Sequence, residues 1–169
     1  LRWNDCDFEN NEIFINHNVI YRFRDYDGWR FRLTTPKTNA GNRVVPMLSE
    51  VREALLQERE NQKRFKLKSP TIDGLSNFVF LNREQNLHNP MTINRAIKRI
   101  IRDHNRDEVK LAEKEKREPL LIRDFSVHNL RHTFCTRFCE NETNLKVIQE
   151  IMGHSDISTT MNIYVEATA

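Results

Sequence analysis

At 169 residues the chain is long enough for one compact domain with a real core. Hydrophobic residues make up 38% and charged residues 30%, and no apolar run approaches a membrane span, which excludes an integral membrane protein and a disordered polar chain. The net charge of +3 permits a nucleic-acid partner without demanding one, and three cysteines (Cys6, Cys135 and Cys139) fit a reducing cytoplasm better than a disulfide framework.

From Glu12 to Met47 the pattern is strand-like. EIFINHNVIYRF alternates in part and is rich in β-branched and aromatic residues, and DYDG is a turn. WRFRLTT alternates again, with Trp29, Phe31 and Leu33 on one side and Arg30 and Arg32 on the other. PKTNAGN is a second turn, bearing Lys37, and RVVPM is a third strand; together they predict a three-stranded antiparallel meander. Ser49 is expected to cap a helix with Val51, Ala54 and Leu55 on its apolar face. SPTIDG breaks the chain, and FVFLN is a short buried extended segment.

After Asn89-Pro90, Thr92 is expected to cap a helix whose apolar stripe is Ile93, Ala96, Ile97, Ile100 and Ile101. Arg95, Lys98, Arg99 and Arg102 form its other face, which either is simply solvated or meets DNA phosphates. HNRDEVKLAEKEKREP is a mixed-charge stretch, either an exposed extension of that helix or a loop. Ser126 is the expected cap of the next helix, with Val127, Leu130, Phe134 and Phe138 as its buried stripe. LKVIQEIM is a short helix closed by Gly153, and SDISTTMNIYVEA is a last one. The fold class is therefore α+β, mainly helical, with a three-stranded antiparallel sheet.

The chemistry gathers in the last third of the chain. His128 and Arg131 are neighbours on one helix face, beside the apolar stripe and near a helix N-terminus, where anions are favoured. His154 follows a helix stop, and Tyr164 lies ten residues later. Arginine offers a planar fork for phosphate oxygens, histidine donates a hydrogen bond or moves a proton, and lysine protonates a leaving alkoxide. A phenol, with a pKa of roughly 10, becomes a nucleophile when cations lower that value and position an electrophile. These parts add up to metal-free phosphoryl transfer through a covalent phosphotyrosine. Taken singly, each residue has a plainer reading: His128 and Arg131 as a solvated face, Lys37 as a solvent lysine, Tyr164 as an amphipathic helix residue. His132 reads as structural. Cys135 and Cys139, four residues apart, read as small buried side chains, since no fourth zinc ligand accompanies them and His132.

HNLRHTF followed by IMGHSDISTTMNIY resembles the catalytic boxes of the tyrosine recombinase (phage-integrase) family: H-x-x-R, then G-H, then Y ten positions on. TTPKTNAGNRVVPM resembles its lysine-bearing turn, and LRWNDCDFENNEIFIN the segment before its sheet. In appearance the chain is most similar to integrases of conjugative transposons. The resemblance implies a tyrosine recombinase-like catalytic domain spanning 1–169. In it Tyr164 attacks a DNA phosphate, Arg131 and His154 hold its oxygens, His128 assists proton transfer, and Lys37 protonates the 5′-oxygen.

The resemblance further implies integration and excision of a mobile element, on double-stranded DNA crossover sites, with no cofactor and no metal. It implies a homo-tetramer on DNA, an excisionase-type directionality factor, and a cytoplasmic, nucleoid-associated location with no membrane role. The family's other catalytic arginine belongs to a TG-x-R box upstream of a segment like LRWND, and its amino-terminal DNA-binding domains and C-terminal tail are likewise expected outside 1–169. The fragment is accordingly expected to be an impaired catalyst. Arg2 matches a later, non-catalytic arginine. The alternative is a catalytically inactive DNA-binding or regulatory module of the same fold.

Overall fold

The computed structural model describes residues 1–168, with the side chains of all but residues 90 and 166–168. Five strands, β1 (Cys6–Asp7), β2 (Glu12–Ile15), β3 (Asn18–Arg24), β4 (Gly28–Thr34) and β5 (Arg43–Pro46), come first. Five helices follow: α1 (Ser49–Arg64), α2 (Pro90–Glu115), α3 (Val127–Asn141), α4 (Leu145–Met152) and α5 (Ile157–Thr168).

A three-stranded antiparallel sheet is present, as expected, but it is not the expected meander: Gly28–Thr34 lies outside it and Cys6–Asp7 is its third strand. The first predicted strand breaks at Asn16-His17, so its halves join different sheets. β2 pairs with β1 and β5, setting Ile13 opposite Val45, while β3 and β4 form a separate hairpin that sets Tyr21 opposite Phe31 and Phe23 opposite Trp29. Two adjacent polar residues with no apolar side to bury explain the break. In the hairpin Tyr21 stacks on Trp29 at 5.4 Å, and the arginines alternate to the other face. Gly28 closes the hairpin turn at φ +70°, a conformation glycine adopts without steric cost.

Three small cores hold the molecule. Ile13, Met47, Leu55 and Val79 join the sheet to α1. Phe78, Leu81 and Leu87 pack under the hairpin with Phe31 and Leu33. Cys135, Cys139, Ile148 and Met152 join α3, α4 and α5. FVFLN is extended as expected: Phe78 and Val79 are buried, and Leu81 bridges to Leu87.

Helix starts follow the capping logic at different residues from some of those expected. Asn89, not Thr92, caps α2, accepting from the Met91 N–H at 3.0 Å with Pro90 in the first turn. Ser49 is the first residue of α1 rather than its cap, and its hydroxyl donates to the Glu50 carboxylate at 2.9 Å. At α3 the Asn129 side-chain oxygen accepts from both the backbone N–H (2.9 Å) and the hydroxyl (2.8 Å) of Ser126. The stripe of α3 is rotated from expectation: Val127, Leu130 and Phe134 are exposed, and the inward positions are Cys135 and Cys139. Phe138, the last residue of the expected stripe, is partly buried against the same core.

The mixed-charge stretch is helical to Glu115, and its polar side chains fasten the segment that leads into α3. Asn105 exchanges two 2.8 Å bonds with the Ile122 backbone, Glu108 accepts from the Leu120 N–H at 2.8 Å, and Asn94 accepts from the Val127 N–H at 3.0 Å. Bonds from Arg117 and from the Leu120 N–H hold the Glu108 carboxyl down to about 2. α2 therefore sets where α3 begins.

Arg2 is structural. Its Nη2 lies 2.9 Å from the buried Asp5 carboxylate, which also accepts from the Arg2 N–H at 3.0 Å and from Asn16 at 3.3 Å. Burial opposes the Asp5 charge, but these bonds outweigh it and hold the carboxyl below its usual range. Because the folded-state pKa is depressed, the contribution is complete above the ordinary carboxylate range and disappears as pH falls through the depressed value. Asp5→Ala is expected to cost about 2–4 kcal/mol at pH 7 in urea melts and to flatten the acid limb of the stability profile.

Candidate active site

The site is built at the C-terminal end of α4. The last carbonyls of a helix have no partner within it and carry the negative end of its dipole. Here two of them, consecutive in sequence, are each taken by an arginine. Arg131, one turn into α3, donates from Nη2 to the Met152 carbonyl. Arg43, from β5, donates from Nε to the Ile151 carbonyl at 2.9 Å and from Nη1 to the Gly41 carbonyl at 3.2 Å. Sheet and helices are thereby joined at one point.

Gly153 then stops the helix in the left-handed conformation, φ +68°, with its N–H 2.9 Å from the Gln149 carbonyl. A Cβ at this position would stand 2.6 Å from Arg43 Nη1 and 3.0 Å from the Ala40 carbonyl, so glycine is required twice over. The His154 N–H returns to the Gln149 carbonyl at 3.1 Å, and Gln149 Nε2 donates to the His154 carbonyl at 3.1 Å. His154 Nδ1 lies 3.0 Å from Oγ1 of Thr160, which α5 buries completely.

Charge at this point is one-sided. Burial, then Arg131, Arg43 and His132, all push the His154 imidazole below its ordinary pKa. Burial and Arg131 likewise oppose the Arg43 charge. Among the described residues neither Arg43 nor Arg131 is ion-paired with a carboxylate. A cluster of this kind is completed by an anion.

Of the predicted residues, Arg131 and His154 converge on the end of α4. His128, in the first turn of α3, meets His132 edge to face at 4.6 Å, and His132 also acts on His154, so all three imidazoles share one neighbourhood. Tyr164 is half-buried on α5, one turn beyond Thr160, packed against the Cys135, Cys139, Ile148 and Met152 core. Lys37 is exposed on the connection between β4 and the short turn Asn39–Gly41; that turn touches the Gly153 corner, whereas the Lys37 side chain itself stands in solvent. Arg95, Lys98, Arg99 and Arg102 lie apart from the cluster, exposed along α2 around a groove of about 540 Å³. Cys135 and Cys139 are core side chains, the Cys135 thiol pushed up to about 11 by burial and by Cys139.

Two site residues escaped the sequence reading. Arg43 looked like the polar first residue of a strand, and only its i, i+2 relation to the inward Val45 marked it as sharing the inward face. Thr160 looked like an ordinary helix threonine; the adjacent Thr159 is exposed, and nothing local distinguishes the two.

Residues 1–169 match the sequence profile described as the phage integrase family. The transposase from transposon Tn916 of Enterococcus faecalis is 36% identical over 168 residues, covering 97% of this chain and 36% of that protein. A XerC-like tyrosine recombinase of Caldanaerobacter subterraneus subsp. tengcongensis is 30% identical over 171 residues, covering 97% of this chain and 40% of that one. The solved Tn1549 transposon integrase in complex with transposon right end DNA superposes with a TM-score of 0.78 at 32% identity, over 97% of this chain and 47% of that one. The chain thus spans less than half the length of these relatives.

Gly153→Ala is expected to lower stability by about 1–2 kcal/mol through its backbone angle and the Arg43 contact. In a double-mutant cycle, Arg43→Ala removes the steric part, so the double variant is less destabilised than the sum of the singles. Because the folded-state pKa of His154 is depressed, stability is expected to fall as pH drops from about 6.5 toward the lowered value. His154→Gln removes that part of the pH dependence, read by thermal melts across pH 4–8.

Proposed function

The chain belongs to the phage integrase family, and on that premise we propose that it carries the strand-breaking chemistry of a site-specific DNA recombinase serving a mobile element. The observation that supports this most directly is the convergence of Arg131 and His154 on one corner, in a cluster rich in cationic and imidazole groups, with Tyr164 packed on the same core. A phosphodiester supplies the anion such a cluster is suited to receive. The Tn1549 integrase, solved with transposon DNA, supports double-stranded DNA as the partner.

In this reading the Tyr164 phenol oxygen forms a bond to phosphorus and the bond to the 5′-oxygen breaks, leaving the 3′ end on the protein. Arg131 and His154 stabilise the non-bridging oxygens as charge builds on them. His128 takes part in removing the phenol proton, and Lys37 gives one to the departing 5′-oxygen. A 5′-hydroxyl of a second strand then reverses the step. One ester replaces another, so no nucleotide energy source is needed. Lys37 stands on a loop whose far end already rests on the Gly153 corner, so a modest swing of that loop suffices to deliver it. Exchange between two crossover sites cuts four strands and calls for four nucleophiles, hence a tetramer on DNA, with direction set by an excisionase-type factor. Arg95, Lys98, Arg99 and Arg102 contact the DNA backbone. No described helix is long and apolar enough to cross a membrane.

The full-length protein is expected to form a covalent complex with nicked suicide DNA carrying its crossover site. Tyr164→Phe should abolish the adduct while binding in gel shifts is kept, and Arg131→Ala should slow its formation on the order of 100- to 1,000-fold. An adduct that persists in Tyr164→Phe refutes the nucleophile; a wild-type protein that binds without ever forming one is the non-catalytic module instead. Arg99→Ala is expected to weaken binding to all sequences alike and to reduce the slope of log K against log salt by about 1.

A further inference from the structure

We infer that Thr160 is a positioning residue that sets the tautomer of His154: its hydroxyl donates to Nδ1, which places the ring proton on Nε2. The inference rests on the proposed function only for its consequence, not for its geometry. Thr160 is fully buried, with 0% of its surface exposed, in a helix packed on cysteines, isoleucine and methionine. Valine has nearly the same shape and would bury no polar group, so the hydroxyl needs a partner to be tolerated there.

That partner is His154 Nδ1, at 3.0 Å. A helical threonine often turns its hydroxyl back to the carbonyl four residues earlier, as Thr133 does toward Asn129 at 3.0 Å. Among the described residues Thr160 makes no such bond, and His154 is its one hydrogen-bonding contact. Among the described residues the hydroxyl hydrogen therefore has one hydrogen-bonding acceptor, the His154 ring nitrogen. Were Nδ1 the donor, that hydrogen would be buried with nothing to receive it. Donation from Oγ1 to Nδ1 satisfies both groups and leaves the neutral ring with an N–H at Nε2.

The consequence is chemical. An imidazole fixed in this form offers a hydrogen-bond donor to a phosphate oxygen without carrying a proton that must first be acquired. The surroundings favour the neutral ring, since burial and the charges of Arg131, Arg43 and His132 all oppose a second proton. Thr160 also lies one helical turn before Tyr164, so the same bond ties the register of α5 to the His154 corner.

The test is histidine ¹⁵N NMR of the full-length protein at pH 7.5, with His154 assigned from His154→Gln. The expected pattern is a pyridine-type Nδ1 and a pyrrole-type Nε2. Thr160→Val should mix the two tautomers, and Thr160→Ser should restore the single form. Cleavage of suicide DNA should fall about 10-fold in Thr160→Val with DNA affinity unchanged, and recover in Thr160→Ser. A protonated Nδ1 in the wild type overturns the inference, and this readout stands even if Thr160→Val does not fold. An unaltered tautomer in folded Thr160→Val overturns it as well. If the wild type shows the expected tautomer but forms no adduct with DNA, the tautomer assignment holds and the recombinase reading fails.

Discussion

The structure turns on two carbonyls at the end of α4, each held by an arginine that comes from elsewhere in the chain. Arg43 arrives from the sheet and Arg131 from α3, and the helix between them also buries Ile148 and Met152 in its core with α3 and α5. Once both guanidiniums are seated, the chain has one way out of α4: a left-handed residue with no side chain, then a histidine turned inward. The Lys37 loop, the H-x-x-R helix and the tyrosine helix are thus referred to one corner, though the loop lies far from both helices in sequence. A glycine that elsewhere would serve only as a helix stop here also makes room for an arginine.

The same corner concentrates positive charge, and among the described residues its one nearby carboxylate, Glu150, is paired with Lys146 rather than with either arginine. Folding such a cluster costs free energy, because the Arg43 charge is partly desolvated and faces that of Arg131. The carbonyls at the negative end of α4 offset part of that cost, and on the proposed reading a DNA phosphate offsets more when it arrives. A protein that meets this cost with fixed guanidinium and imidazole groups has the charge in place before the phosphate reacts. Arg2 and Arg117 differ in this respect: both are paired with carboxylates and serve the scaffold, one at the sheet and one at the end of α2.

α2 contributes by a different route. It adds little to the buried cores, and its polar side chains act as a template along which the following segment is laid. Asn94, Asn105 and Glu108 bond backbone groups of that segment one after another, so the start of α3, and with it His128, is set by hydrogen bonds rather than by apolar packing. The basic residues on the same helix remain exposed beside this strap, available to a polyanion running past the site.

Much of this was legible in the linear chain. Box spacing brought His128, Arg131, His154 and Tyr164 forward, Gly153 announced the helix stop, and the helices, the hairpin and a three-stranded sheet followed from periodicity and turn chemistry, because those signals are local and recur over a few residues. What the chain could not convey was decided across distance. Strand pairing placed β5 against β2 because long-range burial, not proximity, chooses sheet partners, and α3 turned Cys135 and Cys139, with Phe138 beside them, toward α4 and α5 while Val127, Leu130 and Phe134 stayed exposed. Arg43 and Thr160 acquire their roles only from groups that folding brings beside them, a carbonyl more than a hundred residues away and an imidazole around a helix turn. Residue type and spacing determine which chemistry is available; only the folded packing decides which nitrogen, and which charge, is presented to it.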